Sequence, residues 1–195
     1  MSKRTTPRIV DEPPVEGMPP EFSITANRID MASRRIIIYD AITELLARDI
    51  STYLPILDSI RDEPIKVLIN SPGGTVYDTQ TIITEFERCE NKIIMDITGV
   101  AFSGAAMLAL AGDEVQISKY GLYMLHYPNW ETELLSLGEH QKDVNVMKEY
   151  FERMMKELLK RTKMSLSKFK ELSASKDAFL TPKQCIKWGI ADKIY

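Results

Sequence analysis

From residue 34 onward the apolar positions switch between two periods. Residues 35–39 (RIIIY), 65–69 (IKVLI) and 93–97 (IIMDI) are short, β-branched runs, which predicts buried strands. Between them, Ile42, Leu45, Leu46, Ile50, Leu54, Leu57 and Ile60 recur at helical spacing until Pro64 stops the pattern, and residues 76–89 return to it. Gly99 predicts the start of a loop after the third strand, and residues 103–111 form a small, apolar segment able to make a buried helix. Residues 115–117 and 122–126 read as further strands. Strands alternating with helices predict parallel pairing through crossovers, an α/β architecture.

The later pattern is different. Val144, Met147, Phe151, Met154 and Leu158 lie at 3-4-3-4 spacing on a charged stretch from about 143 to 162, which predicts one long amphipathic helix. That stripe has two readings, the buried face of an intrachain core or a protruding helix that packs on another subunit. Thr181-Pro182 predicts a cap with proline in the first turn of a last helix, and Gly189 its end. Residues 1–20 follow neither period. Five of the ten prolines (Pro7, Pro13, Pro14, Pro19, Pro20) fall there among Asp11, Glu12 and Glu16, so an arm is expected, either disordered or ordered by a partner.

Composition narrows the class. At 195 residues, 44% hydrophobic and 27% charged, the chain is long enough for one core. A net charge of −3 offers no basic field for nucleic acid or an anionic membrane. No apolar run approaches the ~18 residues of a membrane span, and no apolar leader follows Met1-Ser2-Lys3-Arg4. Cys89 and Cys185 fit neither a disulfide framework nor a zinc site. No metal or organic cofactor is expected, and a cytoplasmic setting is the expectation.

Candidate chemistry gathers at few residues. Ser103 sits where a strand-to-helix turn leads into Gly104-Ala105-Ala106, so its hydroxyl is expected at a helix N-terminus, beside free N–H groups. Taken alone, a serine that caps a buried helix is the commoner explanation. The turn Asn70-Ser71-Pro72-Gly73-Gly74 follows a strand in the same way, and two such turns on adjacent parallel strands would aim two N–H donors at one oxyanion. His126 is expected at a strand end facing a cleft. His140 reads as solvent-exposed, and Asp177 as a loop residue between two helical segments.

The run 69–74 (INSPGG), the loop from Gly99 to Ser103, Met124-Leu125-His126 and Asp177-Ala178-Phe179-Leu180 stand in the order seen in the ClpP serine peptidases. Over roughly residues 34–195 the chain strongly resembles that family's proteolytic subunit. The resemblance implies a ClpP/crotonase-like α/β fold with mostly parallel sheets, flanking helices and a projecting handle helix. It divides the peptidase domain, residues 21–195, into a head (about 34–128 and 180–195) and a handle (about 129–179). It makes Ser103 the nucleophile, His126 the general base, Asp177 its orienting carboxylate, and the backbone N–H groups of Gly74 and Gly104 the oxyanion donors. It also implies a homo-oligomer of heptameric rings, single or stacked in pairs, that cleaves unfolded polypeptides supplied by a separate AAA+ ATPase. The chain contains no Gly-x-x-x-x-Gly-Lys-Ser/Thr loop of its own.

Departures from that pattern keep two alternatives open. Gly104 replaces the bulky residue usual after the serine, which is closer to SppA-like peptidases with a Ser-Lys dyad. Tyr127 replaces a usual glutamine, and residues 130–135 (WETELL) replace a Gly-rich segment that lines the substrate path and joins rings. The second alternative is therefore a non-cleaving scaffold or regulatory ring subunit.

Overall fold

The computed structural model describes residues 28–127, 137–173 and 177–195; the arm at 1–20 and the departure at 130–135 lie outside the described residues. Strand β3 (Ile65–Ser71) shows why the sheet has two unlike faces. Ile65, Val67, Ile69 and Ser71 are buried, while the intervening Lys66, Leu68 and Asn70 are half-buried. On either side of β3 lie β2 (Arg35–Ile38) and β4 (Ile93–Phe102), both parallel to it. β1 (Ile29–Asp30) adds an antiparallel edge, and β5 (Glu114–Ile117) and β8 (Lys193–Ile194) extend the sheet in parallel beyond β4.

β4 is long enough to change partners. Residues 94–97 pair with β5, whereas residues 100–102 pair with β6 (Leu122–Leu125). β7 (Ala178–Leu180) closes this branch antiparallel to β6. The expected end of this strand near Ile97 is therefore corrected: it runs through Gly99 to Phe102. The reason is a side chain from the neighbouring strand. Asn70 Oδ1 accepts the Val100 N–H at 3.0 Å and Thr98 Oγ1 donates to the Ile69 carbonyl at 3.2 Å, bridging the register shift between β3 and β4.

Helices α1 (Glu44–Ile60) and α2 (Val76–Arg88) pack together and bury Ile50, Leu54, Leu57, Ile82, Ile83 and Phe86 in the core shared with β3. Each such side chain contributes about 1.5–3 kcal/mol when taken from water. α1 starts two residues later than the spacing predicts, because the Thr43 side chain caps it by accepting the Leu46 N–H and Ile42 instead bridges to Gly74. α3 (Gly104–Leu110) is wholly buried. α6 (Pro182–Trp188) carries the expected cap, with Thr181 and Gln184 bonding reciprocally, and ends at Gly189 with φ +66°.

The long helix α4 spans Leu137–Leu158, earlier at both ends than its apolar stripe predicts, and passes into a 3-10 turn, Leu159–Arg161. Phe151 and Leu158 are buried, as is Met155, which the stripe omitted; Met154 packs half-buried on the same core, whereas Val146 is exposed. The C-terminal half of α4 thus packs within its own chain, on α3 and on α5 (Leu166–Ser173). No helix among the described residues is long and apolar enough to cross a membrane.

Candidate active site

Two strand-to-helix turns meet at the C-terminal ends of β3 and β4. In the first, Ser71 Oγ donates to the Asp40 carbonyl at 2.6 Å and accepts the Gly73 N–H at 3.1 Å, which fixes the turn from within. Gly73 has φ +93°, and a Cβ there would lie 2.6 Å from the Phe102 carbonyl, 2.8 Å from Ser103 Cβ and 2.9 Å from Gly104 N. Only glycine lets the turns approach so closely. Gly74 faces Ile42, whose N–H donates to the Gly73 carbonyl at 2.8 Å and whose carbonyl accepts the Thr75 N–H at 3.3 Å. This parallel bridge engages the residues flanking Gly74 and directs the Gly74 N–H away from it.

Ser103 lies in the second turn with φ 53° and ψ −121°, a conformation costly for a residue with a Cβ. Backbone bonds over-determine it: its N–H donates to the Met124 carbonyl at 2.9 Å and its carbonyl accepts the Met107 N–H at 3.1 Å. Its side chain makes no capping bond to α3, so the cap reading is corrected. The strained backbone turns the hydroxyl out of the helix instead. Gly104 opens α3, so its N–H has no partner within the helix. A Cβ on Gly104 would overlap Thr79 Oγ1 and lie 3.4 Å from Gly74 N. Thr79 on α2 thus occupies the space that a larger residue after the serine would need.

The structure brings the distant candidates to this hydroxyl. His126 follows the last residue of β6, and its Nε2 lies 2.6 Å from Ser103 Oγ. Its Nδ1 is 3.7 Å from Asp177 Oδ1, ion-pair range but longer than a hydrogen bond. Asp177 lies in the connection between α5 and α6, as expected, and immediately precedes β7, a short strand within that connection. Pairing of Leu125 with Ala178 sets the two side chains on neighbouring strand ends. His126 retains 21% of its side-chain exposure and Asp177 50%, so the acidic end of this row faces solvent. A cleft of about 580 Å³ beside Asp177 is lined by Leu172, Ala178, Phe179, Leu180 and Gln184. His140 falls in α4, with its side chain outside the described residues.

Sequence reading missed what holds the histidine's neighbour. The Tyr127 ring packs 5.5 Å from Phe151 and 5.4 Å from Phe169, and its hydroxyl donates to Glu152 Oε1 at 3.0 Å. Burial, reinforced by Glu152, pushes the Tyr127 phenol up to about 12. The only signal in the sequence was the unusual tyrosine after the histidine. Among the described residues no cluster of His, Cys, Asp and Glu could hold a metal ion, and the group within hydrogen-bond reach of Ser103 Oγ is an imidazole, not a lysine.

The sequence model of the Clp protease family matches residues 22–195. The ATP-dependent Clp protease proteolytic subunit 2 of Pseudomonas aeruginosa is 27% identical over 167 residues, covering 83% of this chain and 80% of the relative. Subunit 3 from Rhizobium etli is 27% identical over 164 residues, covering 83% and 84%. A mutant of ClpP1 from Listeria monocytogenes superimposes with a TM-score of 0.73 at 26% identity, over 85% of this chain and 92% of that one. Fold, order of motifs and family match agree, and the chain belongs to the Clp protease family.

Proposed function

We propose that this chain is a serine endopeptidase in which Ser103 attacks, His126 acts as general base and Asp177 orients it. The observation that carries the reading is the 2.6 Å contact between Ser103 Oγ and His126 Nε2. In this reading the imidazole holds its proton on Nδ1, toward Asp177, and takes the serine proton on Nε2 as Oγ adds to a peptide carbonyl. The carbonyl oxygen becomes an oxyanion that accepts the N–H groups of Gly74 and Gly104, an interaction that typically contributes about 10²–10³ in rate per donor. The imidazolium returns the proton to the departing amine. Water then repeats the sequence in reverse on the acyl-enzyme, freeing the acid product and Ser103.

The relatives' names carry the words "ATP-dependent" and "proteolytic subunit", and this chain lacks a P-loop. We therefore assign it the role of a subunit in a homo-oligomeric, heptameric ring in the cytoplasm, receiving unfolded polypeptide from a separate AAA+ ATPase. Exposed Val146 on α4 and exposed Leu45, Ile56 and Ile60 on α1 leave apolar area for contact with other subunits.

The test is reaction of the purified protein with a fluorophosphonate probe, alone and with a Clp ATPase, followed by peptide mapping. Label is expected on Ser103 and lost in His126→Ala. Label that survives His126→Ala but requires a lysine would move the chemistry to a Ser-Lys dyad. No label under either condition would make the chain a non-cleaving ring subunit.

A further inference from the structure

This inference rests on the serine-peptidase reading and concerns what holds the base in place. The acid–base row is fixed unevenly. Asp177 stands beyond hydrogen-bond distance of His126 and is half exposed. The ladder between β6 and β7 ends at Leu125, one residue short of the histidine. Yet His126 Nε2 sits within 2.6 Å of the serine oxygen. At that distance the carboxylate does not fix the ring's position by itself.

The next residue supplies a second tie. Tyr127 is clamped on both faces of its function, by rings and by charge. Phe151 of α4 and Phe169 of α5 are buried, stand 6.0 Å apart and both contact its ring. Its hydroxyl donates to Glu152 Oε1 at 3.0 Å, and Glu152 Oε2 receives Lys170 Nζ at 2.6 Å. Tyr127 is thereby tied to two helices at once, through a hydrogen bond strengthened by the carboxylate's charge. Fixing Tyr127 fixes the peptide plane it shares with His126, and hence the direction in which the histidine side chain leaves the backbone.

We propose that Tyr127 is a positioning residue for His126, holding the imidazole on Ser103 by anchoring the end of β6 to α4 and α5 through Glu152 and Lys170. The phenol stays protonated across the neutral range, because burial and then the neighbouring carboxylate raise it to about 12, so the donated bond persists wherever the enzyme works. An imidazole displaced by a fraction of an ångström still lets substrate bind but takes the serine proton less well, so the effect belongs in turnover.

Tyr127→Phe removes the hydroxyl and keeps the ring cluster. Its kcat should fall by about tenfold, with KM and thermal midpoint close to wild type. Glu152→Ala should match it, Glu152→Gln should keep most activity because the amide oxygen still accepts the phenol, and the Tyr127→Phe/Glu152→Ala double variant should be no worse than either single one. Crystal structures of wild type and Tyr127→Phe give a readout independent of activity: the His126 ring should move off Ser103 in the variant. Unchanged kcat with an unmoved ring overturns the inference, as does a change confined to KM or full additivity in the double variant. If the wild type neither cleaves nor labels, the serine-peptidase reading fails by itself, and the ring positions in the two crystal structures still decide whether Tyr127 positions His126.

Discussion

The serine side of the site and the acid side are built by different means. Ser103 is fixed by backbone: a buried helix behind it, a buried Gly73 against it, and bonds from its own N–H and carbonyl to Met124 and Met107. His126 and Asp177 are fixed by side chains at the ends of a four-residue and a three-residue strand, and the carboxylate is half in water. Backbone pairing tolerates strain because many bonds must break together before it relaxes. Side-chain contacts are fewer and separately lost. The Ser103 hydroxyl is therefore held by the backbone of its own turn, whereas the positions of His126 and Asp177 depend more on the packing of α4 and α5.

The largest expected effect tests the serine side. Ser103→Ala should lower peptide hydrolysis on the order of 10⁵- to 10⁶-fold, toward the level left by the oxyanion donors alone. Ser103→Gly should be equally inactive but more stable than Ser103→Ala by about 1 kcal/mol, since φ 53° with ψ −121° suits glycine and strains alanine. Urea midpoints of the two variants give the answer. Equal midpoints would show that the turn stores no strain, and the contrast between backbone-held and side-chain-held halves would lose its main support.

Asp177→Asn addresses the other half and should cost less, about 10²-fold in kcat, with a thermal midpoint near wild type because the carboxylate is half exposed. A loss as deep as that of Ser103→Ala would mean that the carboxylate is as firmly built in as the serine. Full activity would mean that His126 is oriented without it.

The same contrast explains how much the sequence disclosed. Elements with a clear pattern were legible: Ile50, Leu54 and Leu57 mark one buried face of α1 even across Pro55, and the apolar run from Ile65 to Ile69 marks all of β3 but Asn70 and Ser71, which read as part of the turn. β7 was not, since three residues show no period and its extended state comes from pairing with β6. Gly99 read as a loop because the Asn70 side chain that carries the strand past it comes from another strand. Within the site, residue types and order pointed to Ser103, His126 and Asp177. The positive φ of Ser103 and the clamp on Tyr127 did not show, because the first depends on Met124 and the second on Phe151, Glu152, Phe169 and Lys170. Local pattern reveals candidates; their geometry is written in non-local pairings.

The smallest expected effect separates the two regions by pH. Asp58, at the end of α1, accepts the N–H groups of Glu90 at 2.9 Å and Asn91 at 2.8 Å and the Cys89 thiol at 3.1 Å, tying α1 to the turn that leads into β4. Burial would raise its pKa, but these bonds outweigh burial and hold it below its ordinary 3.8. Glu152, on α4, is held below its ordinary 4.5 chiefly by Lys170. Both carboxylates are depressed in the folded chain, so the unfolded chain binds protons first on acidification. Their stabilisation is complete above the ordinary values and is lost as pH falls through the lowered ones. The loss begins near 4.5 for Glu152 and near 3.8 for Asp58. Urea midpoints of wild type, Glu152→Gln and Asp58→Asn should differ at pH 6 and draw together on acidification, with the Glu152→Gln gap beginning to narrow first. The tie between Tyr127 and α4 would then start to loosen before the turn that leads into β4. Gaps that stay constant would show that neither carboxylate ties its region in this way, and an Asp58→Asn gap that narrows first would place the weaker tie on the serine side and reverse the comparison.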